Sequence, residues 1–323
     1  MENSAEAIGN AQIGLANANV SKIEISPSLQ FEFNSPGESS FLQRVLDGAR
    51  KGINPIKFAR RQAEIRKIEA NSEAEIASIL RQAYPSFTDN QIALYIYGYT
   101  TTPAEADNII DVLHRTNLEL AEPTMIDRLN QDCIDQDIKG AATAYEEELR
   151  IKWANLIASE ATTGVPYGKR CKQLLGMMDT AEAKCFDTLC GYVLWTNAGP
   201  LNEATPIPVT WQDEGENWTR NSGALNIDAL ANLESLGLIK NGEWITFTLQ
   251  ANKGMTLDSP STRALVVNET NSIKQVTFGE IRFLKPGAEL AKALQRDVVP
   301  NMENHLKRVT DLHVIYGPRP DHY

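Results

Sequence analysis

Residues 146–190 read EEELRIKWANLIASEATTGVPYGKRCKQLLGMMDTAEAKCFDTLC, and this stretch decides the fold because helix starts, stops and apolar faces follow one another in it. Leu149, Trp153, Leu156 and Ile157 recur at helical spacing and form the buried stripe of a helix expected across 141–161, with Glu146 and Glu147 on its outward face. Gly164, Pro166 and Gly168 make a turn, after which Lys169 and Arg170 open a second helix through CKQLLGMM. Asp179-Thr180-Ala181-Glu182 has the spacing of a capping box, in which Asp179 accepts from a backbone N–H while Glu182 reaches back. The helix it starts is expected to hold Phe186, Leu189, Val193 and Leu194.

Working toward the N-terminus, residues 84–116 read as short helices with turns at Tyr84-Pro85-Ser86 and Thr101-Thr102-Pro103. Before them, residues 55–83 give the longest helical signal, free of Gly and Pro beyond Pro55, with an apolar seam through Ile65, Ile68, Ile76, Ile79 and Leu80. Arg60, Arg61, Arg66 and Lys67 precede Glu69, Glu73 and Glu75. That order opposes the helix dipole, and an anionic surface or a partner would relieve it. Local pairs such as Glu64 with Lys67 account for the same residues as a solvated face. Residues 1–38, rich in Asn, Ser, Ala and Glu, read as a flexible arm, and a short helix is expected over 41–49.

Toward the C-terminus the character changes beyond Trp195, where Pro200, Pro206, Pro208 and Gly215 mark a loop-rich stretch. Leu230, Leu233 and Leu236 then mark a helix stopped by Gly237. Strands are expected over 243–249, 264–267, 274–284 and 312–316, and a helix with Leu290 and Leu294 after Lys285-Pro286-Gly287. The expected fold class is therefore mainly α within α+β: a flexible arm (1–38), a helical region with the long amphipathic helix (39–140), a helical core (141–198) and a small mixed winged-helix-like unit (199–323).

At 323 residues, 42% hydrophobic and 23% charged, the chain has the composition of a folded globular protein. A net charge of −11 disfavours binding to polyanions through the molecule as a whole and leaves only a local basic patch for that purpose. No run approaches the roughly 20 apolar residues that span a bilayer, and the polar start is unlike a signal peptide, so a cytoplasmic location is expected.

The chemistry-bearing residues are sparse. Cys133, Cys171, Cys185 and Cys190 lack Cys-x-x-Cys spacing, which points to buried reduced thiols. His114, His305, His313 and His322 are scattered, and no phosphate loop, dinucleotide fingerprint or His-Glu-x-x-His motif occurs. Asp127, Asp132, Asp135 and Asp137 cluster without the glycine and terminal glutamate of a calcium loop, so a solvated face is expected there. Neither a catalytic residue, nor a metal site, nor a cofactor is expected. Lys169 and Arg170 at a helix start are candidates for an anion or partner contact, as are Arg60, Arg61, Arg66 and Lys67.

The segment 146–190, with Trp153, Ala154, Leu156, Ile157, Ala158, Lys169, Arg170, Asp179 and Phe186, resembles the bacterial family catalogued as domain of unknown function 2806, within the abortive-infection alpha-like group. Residues 52–76, and ALANLESLGLI with LKPGAELAKAL further on, are similar to the same group. The resemblance implies a bacterial or phage protein linked to defence and supplies no mechanism. The expected function is a non-enzymatic protein-interaction or sensor protein with a protein partner or self-association through the long helix. The alternatives are a nucleic-acid-binding protein using the basic residues of that helix, and an enzyme whose site assembles only in space.

Overall fold

The structure, a computed structural model, describes residues 81–82, 85–96, 99–100, 102–120, 125, 128–196, 204–210, 225 and 227–319. The arm at 1–38, the helix at 41–49 and the long helix over 55–83 with Arg60, Arg61, Arg66 and Lys67 lie outside the described residues, save Arg81 and Gln82. The chain divides into two compact units between Tyr145 and Glu146.

In the first unit, α1 (Asp89–Ile96), α2 (Pro103–Glu119) and α3 (Gln131–Ala142) pack around Ile92, Leu94, Ile109, Val112 and Ile138. Thr102 starts α2 with a capping box: its hydroxyl accepts from the Glu105 N–H at 3.3 Å, and Glu105 accepts from the Thr102 N–H at 3.2 Å. The Asn108 amide donates to the Ala142 carbonyl at 3.0 Å, which ties α2 to the end of α3.

The second unit opens with α4 (Glu147–Thr163), α5 (Lys169–Met177) and α6 (Thr180–Cys190). The helix expected over 141–161 is two helices, because α3 ends at Ala142 and α4 begins only at Glu147. The capping box of α6 forms as read, with Asp179 accepting from the Glu182 N–H at 2.7 Å and Glu182 accepting from the Asp179 N–H at 2.9 Å.

Beyond α6 come β1 (Val193–Thr196), β2 (Pro206–Pro208), α7 (Ile227–Leu236), β3 (Ile239–Leu249), β4 (Lys253–Asp258), β5 (Thr262–Asn268) and β6 (Lys274–Phe283). The unit closes with α8 (Lys285–Leu294), α9 (Met302–Thr310) and β7 (His313–Pro318). Gly237 stops α7 with φ +80°, as its position after Leu236 foretold.

A mainly helical chain ending in a small winged-helix-like unit is corrected here. The described residues hold two antiparallel sheets, one of five strands in the order β2-β1-β4-β5-β7 and one of two, β3-β6, so the fold is an α+β mix. Three strands escaped the periodicity. Val193 and Leu194 extend the apolar spacing of Phe186 and Leu189, yet α6 stops at Cys190 and the chain turns extended; β1 is buried on both faces and offers no alternation. Pro206 and Pro208 signal a loop, yet proline is compatible with a sheet edge, where β2 lies. Lys253-Gly254 begins β4 with residues uncommon in strands.

The helices of this unit meet around α8, which packs on α4, α5 and α6, while α7 packs on α6 and β3, and α9 on β6 and β7. Phe186 of α6 meets Phe283 of β6 edge to face, ring centroids 5.7 Å apart. The first turn of α8 abuts the chain leaving α7: the Leu284 N–H donates to the Leu238 carbonyl at 2.9 Å, and a Cβ on Gly287 would stand 2.0 Å from that oxygen. Gly287→Ala is therefore expected to lower stability by roughly 3 kcal/mol or more, read as a shifted urea midpoint. An alanine variant with wild-type stability would contradict the tight approach of α8 to Leu238.

Candidate functional site

The conspicuous polar chemistry of the second unit is internal and sits where α4, the 164–168 turn and α5 come together. Glu160 lies on α4, one helical turn beyond Leu156 on the stripe that includes Trp153, and is fully buried. Lys172 of α5 places its Nζ 3.0 Å from each Glu160 carboxylate oxygen. The Tyr167 N–H donates to Glu160 Oε1 at 2.5 Å, and the hydroxyls of Tyr167 and Ser159 lie 2.8 Å apart. Burial pushes the Tyr167 phenol up to about 12. A buried carboxylate without such partners would be strongly destabilising, so α4, the turn and α5 are held as one piece.

A carboxylate from α8 completes this corner. Glu289 accepts from the Gly168 N–H at 3.1 Å, at the N-cap of α5. It stands where the helix dipole favours a negative charge, and a Cβ on Gly168 would fall 2.8 Å from its Oε2. Lys169 and Arg170, exposed in the first turn of α5, thus share this helix start with a carboxylate supplied by the protein itself. Arg170 also lies beside Gly237, where a Cβ would stand 3.4 Å from its Nη2. The remaining candidates, Arg60, Arg61, Arg66 and Lys67, lie outside the described residues.

A second cluster joins α4, α6 and the segment after α8. Lys152 of α4, buried, and Arg296, half exposed, both bond the carboxylate of Asp187 on α6, with Arg296 Nε 2.9 Å from Oδ1. Burial and then the Arg296 charge bring the Lys152 ammonium down to about 8, so it is largely charged at neutral pH. Burial pushes the thiol of Cys190 up, against the pull of Lys152, and burial with Glu182 pushes that of Cys185 up to about 11. Both therefore stay protonated and weakly nucleophilic. All four cysteines are free and buried, as the spacing implied.

Glu160, Lys172, Lys152, Asp187 and Arg296 were not singled out by the sequence reading. A signal existed: Lys152 and Glu160 fall on or beside the α4 stripe of Leu149, Trp153 and Leu156, where a charge has to find a partner. In the first unit, the aspartates read as a solvated face divide, and Asp127 lies outside the described residues. Asp132 is exposed, Asp135 accepts from the Tyr99 hydroxyl at 3.0 Å and the Gln131 amide at 2.8 Å, and Asp137 is buried with the Cys133 Sγ at 3.6 Å.

Fold and side-chain chemistry together define an α+β protein whose buried ions hold one another. Residues 99–307, more than half of the chain, match the family described as Protein of unknown function (DUF2806), and the chain belongs to that family. No curated protein and no solved structure matches it. No helix among the described residues is long and apolar enough to cross a membrane.

The buried pair leads to a double-substitution test. Lys172→Met strands the Glu160 carboxylate and is expected to cost roughly 3–5 kcal/mol, whereas Glu160→Leu with Lys172→Met restores stability to within roughly 1 kcal/mol of wild type. Equal losses for the single and the double variant, measured by urea unfolding, would contradict a mutually compensating pair.

His305 on α9 gives a pH dependence. Burial and then Arg308 lower its pKa from 6.5 to about 4. Between those values the unfolded chain takes up a proton that the folded chain refuses, so this residue removes stability as pH falls from 6.5 to 4 and changes nothing further below. His305→Gln should cut that loss by roughly 1 kcal/mol after allowance for solvent screening at a half-buried site. Parallel stability profiles for wild type and variant over this range would refute the assignment.

Proposed function

We propose that this chain is a non-enzymatic protein-interaction or sensor protein of bacterial or phage origin, linked to anti-phage defence. The similarity of residues 146–190 to the abortive-infection alpha-like group supports the origin and the link to defence. Support for binding rather than catalysis comes from where the ionisable groups go: Glu160 with Lys172, and Asp187 with Lys152 and Arg296, are occupied with one another inside the fold.

The observation that carries the reading is Trp244, which is 58% exposed on β3. The β3–β6 ladder is irregular between Asn241 and Ile245, and Gly242 there has φ +76°, a bulge geometry that turns side chains away from the ladder. Glu243 and Arg282 form an ion pair at 2.5 Å beside it. An aromatic side chain presented this way, with charges at its border, has the make-up of a binding hot spot.

Native purification of the full chain, with mass spectrometry of bound protein and nucleic acid, tests the proposal. A bound protein is expected that Trp244→Ala releases, with at least roughly tenfold weaker retention and an unchanged melting temperature. Retained nucleic acid with a steep salt dependence, and no effect of Trp244→Ala, would replace this reading with nucleic-acid binding.

A further inference from the structure

Residues 295–301 join α8 to α9 as a strap across the end of α6, and Gln295, Arg296, Asp297, Pro300 and Asn301 in it are exposed. Both joints of the strap are left-handed: Gln295, at the C-cap of α8, has φ +40°, and Asn301, at the N-cap of α9, has φ +69°. Between the joints the chain is fastened through Arg296, Asp297 and Val299. The Arg296 guanidinium bonds both oxygens of the Asp187 carboxylate, and the exposed Asp297 carboxylate accepts from the Ser261 N–H at 3.1 Å. The Val299 N–H donates to the Gly191 carbonyl at 2.8 Å. Val299 also lies against Gly191, where a Cβ would stand 3.2 Å from its Cγ1.

The charges at Asp187 are arranged so that one of them can leave. Asp187 holds two cations, Lys152 of α4, whose side chain is 4% exposed, and Arg296, whose side chain is 53% exposed. When Arg296 departs, Lys152 stays on the carboxylate, and no buried charge is stranded. The departure also removes a like charge that opposes the Lys152 ammonium. Arg296 itself already meets water over half its surface, so its release costs little. A segment with few buried apolar groups and solvent-facing polar bonds is of the kind that opens without unfolding its surroundings.

We propose that residues 295–301 are a release strap, which Arg296 latches onto Asp187 and which swings away from the end of α6 while α4 and α6 stay folded. Release uncovers the Gly191 carbonyl and the Asp187 carboxylate and leaves the Lys152–Asp187 bond in place. Trp244 plays no part in it, so the strap stands whether or not that residue binds a partner.

Hydrogen exchange measured residue by residue on the full chain tests the strap. In the wild type the Val299 amide is expected to exchange by local opening, about tenfold or more faster than the amides of Trp153 in α4 and Phe186 in α6. Arg296→Gln removes the latch and should speed Val299 by about a further fivefold or more, with the two helix amides and the melting temperature nearly unchanged. Added salt screens the half-exposed pair and should speed Val299 in the wild type but not in the variant. If Val299 exchanges no faster than Trp153 and Phe186 in the wild type, or if Arg296→Gln leaves its rate unchanged relative to theirs, the segment is a fixed part of the helical packing and the proposal fails.

Discussion

The Glu160 carboxylate, buried on the apolar side of α4, is the constraint around which the helical part of the second unit is arranged. Its two oxygens receive the Lys172 ammonium and the Tyr167 N–H, so α5 has to start where it does and the 164–168 turn has to fold back over α4. Gly168, kept free of a Cβ, then brings Glu289 of α8 to the same corner. The next tie, Asp187 between Lys152 and Arg296, fixes α6 to α4 and to the segment after α8. Ion pairs of this kind add little net stability over apolar residues of the same volume. Their partners are specific, however, and a misplaced helix would leave a buried charge alone.

The sheets depend on this arrangement through backbone contacts more than through charge. The Leu238 carbonyl receives the Leu284 N–H and lies against Gly287, which couples the end of α7, the start of β3 and the start of α8 at one point. The Val209 and Thr210 N–H groups reach Tyr192 and Phe278, so β2 contributes to both the five-stranded sheet and the flank of β6. Asn268 performs a similar service at the far end of β5, donating to the carbonyls of Leu249, Gln250 and Ser272. A side-chain amide here replaces the backbone pairing that the turns cannot provide.

Local signals with a local cause were legible. The capping box at Asp179 and Glu182, the stop at Gly237, the proline-led start of α8 and the buried thiols follow from interactions within a few residues. Strands β3, β5, β6 and β7 were also readable, since β-branched and aromatic residues concentrate there. What failed was continuity: the apolar spacing of Phe186 and Leu189 runs on through Val193 although the helix does not, and prolines in β2 imitate a loop. The interior ion pairs failed for another reason. Lys172 and Glu160 are twelve residues apart with a turn between them, and only the angle at which α4 and α5 meet makes them neighbours.

By itself the sequence determined the helix limits around Asp179 and Gly237, the burial of the thiols and the family resemblance, because each rests on residue identity and short spacing. Only the tertiary structure decided that the strands form a five-stranded sheet with β2 and β7 at its edges and a separate β3-β6 pair. It alone decided that Trp244 faces outward and that Lys152 and Glu160 of α4 face inward. Strand order and side-chain exposure depend on chain segments distant in sequence, and no local pattern records which of them will arrive beside a given residue.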